Sequence, residues 1–158
     1  MFGTYEADYD RNRVLLRGLR DAGVEVNECH EPVWETMRYK ANAIKGPSKY
    51  LAIVAKLTWA YARLCFRYLF APAHDIVFVG YLGHFDVLPA RFLSWMRRKP
   101  LVFDACVSLY DPSVEDRGLF ARDSLLARLL WATDRWACKL ADLVLLDTQQ
   151  HIDYFCEE

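Results

Sequence analysis

The segment from Lys99 to Pro112, KPLVFDACVSLYDP, most constrains how this chain can fold. Three consecutive apolar residues, Leu101 to Phe103, lie between a basic turn and Asp104, and a proline stands near each end of the segment. A short, wholly apolar run of this kind predicts a strand that is covered on both faces, as in a parallel sheet. Ligands of open α/β sheets bind just beyond the carboxyl ends of such strands. We therefore expect this strand to end at one wall of a binding cleft, with Asp104 at its tip.

The rest of the chain alternates between short apolar runs and helical patterns. Further strands are predicted at residues 1–4, which resemble the last residues of a strand, and at Val24 to Val26, Asp75 to Tyr81 and Leu143 to Leu146. Helices are predicted over Asn12 to Ala22, Ser48 to Phe70, Leu88 to Met96 and Ser124 to Leu140, with a last helix beginning after Thr148. This order predicts an α/β fold: a Rossmann-like, doubly wound, mostly parallel sheet with helices on both faces, in a single domain over residues 1–158.

Two of the predicted helices have an apolar face at helical spacing. We expect the first helix to bury Val14, Leu15, Gly18 and Leu19, and Gly23 to end it. For the helix from Ser124 to Leu140, the expected buried face is Leu125, Leu126, Leu129, Leu130, Trp136, Ala137 and Leu140. The charged residues Arg128, Asp134, Arg135 and Lys139 are expected to lie largely outside that face.

Composition excludes several classes of protein. The formal net charge is −1, so no overall basic field favours nucleic acid as a partner. The five cysteines are scattered, which predicts reduced thiols in a cytoplasmic protein and no disulfide framework. The four histidines show no metal-ligand spacing, so we expect no metal site. The N-terminal residues MFGTYEADYD lack the basic and apolar regions of a signal peptide.

Three common cofactor and catalytic motifs are absent from the sequence. The loop GTYEADYDRNR lacks the second and third glycines of a dinucleotide-binding loop, and no G-x-x-x-x-G-K-[ST] or G-x-S-x-G motif occurs. A dehydrogenase, a P-loop NTPase and a serine hydrolase are therefore disfavoured, and no cofactor is expected.

Four strand tips, which we expect along one edge of the sheet, supply the candidate site: residues 3–5, 80–86, 104–111 and 147–148. Asp104 is the candidate catalytic residue, because a carboxylate at a strand end can orient a substrate hydroxyl or act as a base; alternatively it caps the following loop. The candidate substrate-binding residues are Gly3, Thr4, Tyr5, Arg13, Tyr81, His84, Asp86, Ser108, Asp111 and Thr148. Two alternatives stay open: His84 can be a satisfied loop histidine, and Asp147 with Thr148 can cap the last helix. Tyr5, Tyr81 and Tyr110 suit stacking on a sugar or lipid, or simple packing.

The helix from Ser48 to Phe70 has a separate pattern. Its basic residues recur at spacings of seven, seven and four, which places them on one stripe roughly 40° wide, bordered by aromatic residues. Charges within the segment make membrane spanning costly. Two alternatives remain: a core helix with one solvated basic edge, or an interfacial helix on anionic lipid. The membrane contacts in the second case are Lys49, Lys56, Trp59, Arg63, Phe66 and Arg67.

Four segments of the chain carry a resemblance to a known family. They are FGTYEADYDRNRVLLRGLRDAGVEV, DIVFVGYLGHFDVLPARF, KPLVFDACVSLYDP and DRWACKLADLVLLDTQQHIDYF. In this order they resemble the N-terminal domain of family-4 glycosyltransferases with the GT-B fold. The resemblance implies an acceptor-binding domain that faces a second domain holding a nucleotide sugar, with retention of anomeric configuration and no essential metal. It also implies that the Gly3 loop faces the cleft and that Asp104 occupies a strand-end position where relatives carry a catalytically important His or Asp.

The chain departs from this family in having a short first strand, which predicts a true start upstream of Met1, and in lacking the donor-binding domain. We therefore expect the acceptor-binding half of a retaining glycosyltransferase that is inactive as the isolated chain. Its expected partners are a sugar or lipid-linked acceptor and a separate donor-binding domain or subunit.

The alternative is a non-catalytic module that docks on a membrane or on a donor-binding subunit. A third, weaker option is an unrelated doubly wound nucleotide-binding enzyme. The expected location is cytoplasmic, at the inner face of the membrane if the basic helix binds lipid.

Overall fold

The computed structural model describes residues 1–33 and 47–157, with side chains for residues 1–33 and 54–156. The strands are β1 (Phe2–Gly3), β2 (Cys29–His30), β3 (Val77–Val79), β4 (Leu101–Cys106) and β5 (Leu143–Leu146). The helices are α1 (Asp10–Asp21), α2 (Pro47–Leu69), α3 (Val87–Met96), α4 (Leu125–Leu140) and α5 (Gln149–Glu157). A π-helical turn, Asp111–Asp116, lies between β4 and α4.

The strands form one five-stranded, wholly parallel sheet in the order β2-β1-β3-β4-β5. The chain moves outward from β1 to β2, crosses back over β1 to β3, and then proceeds to β4 and β5. Right-handed crossovers therefore place α1 on one face of the sheet and α2, α3 and α4 on the other. Helices α2 and α4 each pack against α3. The predicted Rossmann-like α/β fold is thus confirmed.

The core lies on the two central strands. Val77 pairs in register with Leu101, and Val79 with Phe103, and all four side chains are buried. Phe2 of β1 packs edge-on against Tyr68 of α2, with ring centroids 5.9 Å apart. Burial of these side chains anchors β1, β3 and β4 to the helices that cover them.

The second strand was predicted in the wrong place. Residues 24–28 have no regular structure, and β2 begins at Cys29, which pairs with Phe2. The physical reason is the end of α1: Gly23 adopts a positive φ of 82°, and the Val24 N–H donates to the Leu19 carbonyl at 2.9 Å. That bond closes the helix, so this N–H cannot pair in a sheet. The role of Gly23 as a helix stop is confirmed.

Strand β4 is longer than predicted. It runs to Cys106, so Asp104 lies inside the strand and not at its end. The cause is the neighbouring strand β5, which pairs with β4 as far as Cys106, opposite Leu146.

The predicted buried faces of two helices were wrong in part, since Ala137 is the one predicted residue of either face that is fully buried. In α1 Val14 and Gly18 are exposed, and Asn12 and Leu16 are buried instead. In α4 the exposed side chains include Leu125, Leu126, Leu129 and Trp136, and the buried ones are Ala127, Asp134 and Ala137. Small side chains let α4 lie close to the sheet, and Asp134 can be buried because its carboxylate accepts several hydrogen bonds. The large apolar side chains consequently point outward.

No helix in the described part of the chain has both the length and the apolar content to cross a membrane.

Candidate functional site

Neighbouring strands β1, β3, β4 and β5 are parallel, so their carboxyl ends meet at one edge of the sheet. This edge carries the Gly3 loop, residues 80–86, the exit of β4, and Asp147 with Thr148. The expected convergence of the four strand tips is confirmed. We refer to this region as the carboxyl edge.

An ion pair at the carboxyl edge joins Asp104 to Arg11. Asp104 is fully buried in β4, and its carboxylate accepts hydrogen bonds from Arg11 Nε at 2.8 Å and from Arg11 Nη2 at 2.7 Å. Such a two-pronged contact fixes the guanidinium in one orientation. The contact also raises the pKa of Arg11, chiefly through its hydrogen bonds to Asp104. The Arg11 side chain stays partly exposed, so a ligand at the edge can reach it.

Arg13 was the arginine predicted to bind substrate, but the structure brings Arg11 to Asp104 at the carboxyl edge. Arg13 is exposed and pairs with Asp10 in the same helical turn at 2.5 Å. Two residues along a helix differ by about 200° around its axis, so the two arginines cannot face the same way. No sequence signal told the two apart, because the orientation of α1 on the sheet depends on the burial of Asn12 and Leu16.

A second polar group stands beside Arg11 at the end of β4 and β5. The Cys106 thiol lies 4.0 Å from Asp147 Oδ2, and His151 Nδ1 lies 2.5 Å from Asp147 Oδ1. The hydrogen bond with His151 is the main cause that lowers the pKa of Asp147, with Arg11 also contributing. Burial raises the pKa of the Cys106 thiol, which therefore stays protonated near neutral pH. Thr148 accepts the His151 N–H at 3.3 Å, which confirms that it caps α5.

Cys106 also has an unusual backbone conformation. Its φ is +59°, in the left-handed region that side chains other than glycine, asparagine and aspartate seldom adopt. Leu82, in the loop after β3, has a φ of +69°. Strained residues of this kind concentrate at functional sites, and here Cys106 ends β4 and Leu82 follows the neighbouring strand β3 at the same edge.

Gly3 and Thr4, at the end of β1, make buried contacts with Asp86. Asp86, which precedes α3, accepts hydrogen bonds from the Thr4 N–H at 2.7 Å, from Thr4 Oγ1 at 3.0 Å and from the Tyr61 hydroxyl at 2.9 Å. Burial raises the pKa of Asp86 to about 6, against the opposing effect of these donors. Gly3 packs directly on the Asp86 carboxylate. Gly3, Thr4 and Asp86 thus join β1, α2 and α3 below the open edge.

A buried pair of His84 and Asp134 supports the loop after β4. His84 Nε2 lies 3.5 Å from Asp134 Oδ1, and the His84 ring packs edge-on against Phe103. Burial lowers the pKa of His84, although Asp134 opposes the shift, so the imidazole is neutral. Asp134 accepts hydrogen bonds from Ser108 Oγ at 2.6 Å and from the Tyr110 N–H at 3.0 Å. Sequence reasoning placed Asp134 outside the helix face and missed this role.

The remaining candidate substrate-binding residues, Tyr5, Tyr81 and Asp111, differ in how far they are buried. Tyr5 is buried, and its hydroxyl donates to Glu28 at 2.8 Å. Tyr81 is half-buried and packs on Tyr9, with ring centroids 4.8 Å apart. The Asp111 N–H donates to Ser108 Oγ at 3.0 Å and so belongs to the loop that Asp134 holds.

An open pocket of about 330 Å³ adjoins this loop, between the π-helical turn, α4 and α5. Three aromatic and three charged side chains line it: Tyr110, Trp131, Tyr154, Glu115, Arg122 and Arg128. Aromatic faces beside charged groups are suited to a sugar ring or another polar ligand with an apolar face. Of these residues, sequence reasoning had singled out Tyr110 for stacking.

The predicted membrane-contact residues lie on α2, away from this pocket. Lys56, Trp59, Arg63, Phe66 and Arg67 are exposed, and the side chain of Lys49 lies outside the described residues. Arg63 and Arg67 each pair with Glu31, at 3.3 Å and 3.2 Å.

No group of three or more His, Cys, Asp or Glu side chains in the described ranges could hold a metal ion. Comparison of the chain with family models, with curated proteins and with solved structures found no match.

Proposed function

We propose that this chain is the acceptor-binding half of a retaining glycosyltransferase, in which a separate domain or subunit holds the nucleotide sugar. The observation that carries the proposal is the Arg11–Asp104 pair at the carboxyl edge of a parallel sheet, where α/β proteins bind their ligands. The sequence resemblance to family-4 glycosyltransferases supplies the reaction.

The proposal gives Asp104 a positioning role. Its carboxylate is fully buried and bonded to Arg11, so its effect on a ligand passes through the guanidinium. Arg11 presents its exposed side to acceptor hydroxyl or anionic groups, which a fixed guanidinium binds well. His151, held by Asp147, supplies a second polar contact beside Arg11.

The pocket beside Tyr110 provides room for an acceptor sugar. A sugar ring can stack on an aromatic side chain there, and its hydroxyls can bond to Arg122 or Glu115. The printed sequence holds no glycine-rich phosphate loop. The chain alone therefore has no recognised means of holding a nucleotide diphosphate, and we expect it to show no transferase activity by itself.

An NMR titration tests this proposal. The probes are a panel of methyl and dodecyl glycosides and, separately, uridine and guanosine diphosphate sugars. We expect at least one glycoside to give saturable shifts in the amide signals of Arg11, Cys106 and Asp147, and the nucleotide sugars to give none. His151→Gln should weaken glycoside binding by up to about tenfold, the effect of losing one hydrogen bond.

The matched control is Gln150→Ala, which changes an exposed neighbour on the same helical turn and should leave binding unchanged. Glycoside shifts confined to residues outside both the carboxyl edge and the pocket beside Tyr110 would contradict the proposed site. Turnover of a sugar nucleotide by the purified chain would contradict the assignment of the donor to another unit.

A further inference from the structure

The sheet face that carries α2, α3 and α4 has an exposed tryptophan on every helix. The exposed fractions are 68% for Trp59 on α2, 69% for Trp95 on α3 and 60% for Trp136 on α4. Because α2 and α4 both pack against α3, the three outward sides form one continuous surface. We call it the three-helix surface.

Other large apolar side chains accompany the tryptophans on the three-helix surface. They are Phe66 on α2 and Phe70 just after its end, Leu88 and Phe92 on α3, and Leu125 and Leu129 on α4, all of them exposed. Single exposed apolar residues are normal on a soluble protein, but a contiguous patch that extends over three helices is not. A patch of this kind marks a surface that another apolar phase or molecule covers.

The same three helices are strongly basic. Their cations are Lys49 and Lys56, Arg63 and Arg67, Arg91, Arg128 and Arg135, and Lys139, although the whole chain has a net charge of −1. The only acid in these helices is Asp134, which is buried and bonded to the loop after β4. On α4 the ammonium of Lys139 lies 6.0 Å from the centre of the Trp136 ring. Acidic partners from outside the helices are Glu31, for Arg63 and Arg67, and Asp142, for Arg91.

We propose that the three-helix surface rests on an anionic lipid bilayer, with all three helices lying in the headgroup region. Tryptophan favours this depth because it has an apolar ring and one polar N–H. The cations attract an anionic leaflet, and their aliphatic stems can lie along the apolar surface. The proposal extends the membrane contact from α2 to α3 and α4, and it does not depend on the transferase reaction.

Charge argues against a second copy of the chain as the occupant. A symmetric dimer places the same patch on both sides of the interface, so the basic helices would face each other. Like charges at an interface are costly, whereas an anionic leaflet neutralises them.

Vesicle co-sedimentation of the purified chain tests the proposal. We expect binding to vesicles that contain phosphatidylglycerol and weaker binding to pure phosphatidylcholine or at high salt. Trp59→Gln, Trp95→Gln and Trp136→Gln should each lower the partition coefficient about tenfold, since each removes a large ring from the lipid contact. All three rings are exposed in water, so the variants should keep the wild-type circular dichroism spectrum.

Two control variants lie on α1, on the opposite face of the sheet. Val14→Gln changes an apolar residue with an exposed fraction of 67%, and Arg17→Gln removes an exposed cation. Both should bind vesicles like the wild type, whereas Lys139→Gln should bind less.

Three results would overturn the proposal. The first is no binding to phosphatidylglycerol vesicles at low salt. The second is loss of binding by the α2 variant alone, which would leave α3 and α4 out of the contact. The third is a wild-type protein that forms a dimer and does not bind vesicles, together with dissociation of that dimer by Trp95→Gln or Trp136→Gln. That result would assign the surface to a second copy of the chain.

Discussion

Gly3 leaves no room for a side chain between β1 and the loop that leads into α3. A Cβ at Gly3 would lie 2.3 Å from Asp86 Oδ2, and the φ of +138° is one that other residues rarely adopt. The absence of a side chain lets the carboxylate reach the Thr4 N–H at 2.7 Å. Gly3 therefore contributes to the site by fixing the first strand tip.

The expected effect of Gly3→Ala is a loss of roughly 2–4 kcal/mol in the free energy of unfolding, because a backbone strain and a steric overlap combine. Gly18→Ala is the matched control, since no atom lies within 4 Å of a Cβ at Gly18 in α1. Alanine there should stabilise the protein by about 0.5–1 kcal/mol. Urea denaturation of the two variants measures both values, and an equal effect of the two substitutions would contradict the structure.

Arg11 and Arg13 offer a second matched pair. Arg11→Gln leaves the buried Asp104 carboxylate without its ion pair and should lower the free energy of unfolding by about 2–4 kcal/mol. Arg13→Gln removes only an exposed pair with Asp10 and should change it by less than about 1 kcal/mol. If the two variants unfold at the same urea concentration, Asp104 does not depend on Arg11.

At the level of the secondary structure elements, Asp86 connects three of them through one buried carboxylate. Its folded pKa is about 6, raised by burial from an ordinary value of 3.8. Between these values the folded state holds the proton more tightly than the unfolded state. The contribution of Asp86 to stability is therefore greatest at low pH and falls as the pH rises towards 6 and above.

We expect the free energy of unfolding of the wild type, relative to Asp86→Asn, to fall by up to about 3 kcal/mol between pH 4 and pH 7. Comparison with the asparagine variant cancels the titration of the other carboxylates. Tyr61→Phe removes one donor to the carboxylate and should raise the Asp86 pKa further, as followed by carbon NMR. A difference that stays flat or rises with pH would contradict the buried, weakly acidic Asp86.

The elements also show what could be predicted from the sequence. The short apolar runs at Val77–Val79, Leu101–Phe103 and Leu143–Leu146 were correctly predicted as strands, because runs of this length bounded by turn or polar residues are typical of a parallel sheet. The side on which a helix is buried was less predictable. In α4 Ala137 was correctly predicted on the core side, but the leucines predicted with it are exposed or half-buried. Ala127 and Asp134 are buried instead, and Asp134 is held by bonds to a distant loop. Such long-range contacts leave no local pattern.

A leucine substitution distinguishes the observed orientation of α4 from the predicted one, in which its leucines face the core. Leu129 is half exposed, so Leu129→Gln should change the free energy of unfolding by less than about 0.5 kcal/mol. Leu64 of α2 is fully buried, and the same change, Leu64→Gln, should cost at least about 3 kcal/mol. Thermal denaturation compares the two, and a large loss for Leu129→Gln would mean that α4 packs on its leucine face.

At the scale of the whole molecule, the two faces of the sheet differ in character. The face of α1 is polar and carries charges of both signs, such as Arg17 and Asp21. The face of α2, α3 and α4 is apolar and basic. The carboxyl edge lies between the two faces, so a chain that rests on a bilayer through its helices would leave the partly exposed Arg11 accessible beside the membrane surface.

The centre of the sheet should also be its most stable part. Strand β4 has a neighbour on each side, and its residues Leu101 to Ala105 are buried, whereas β2 is a two-residue edge strand of intermediate burial. Amides that exchange only on global unfolding are found in such central strands, whereas edges open locally. In native-state hydrogen exchange we therefore expect the amides of β3 and β4 to share the slowest rates and those of β2 to exchange at least about tenfold faster. Equal protection of β2 and β4 would mean that the edge strand unfolds only together with the core.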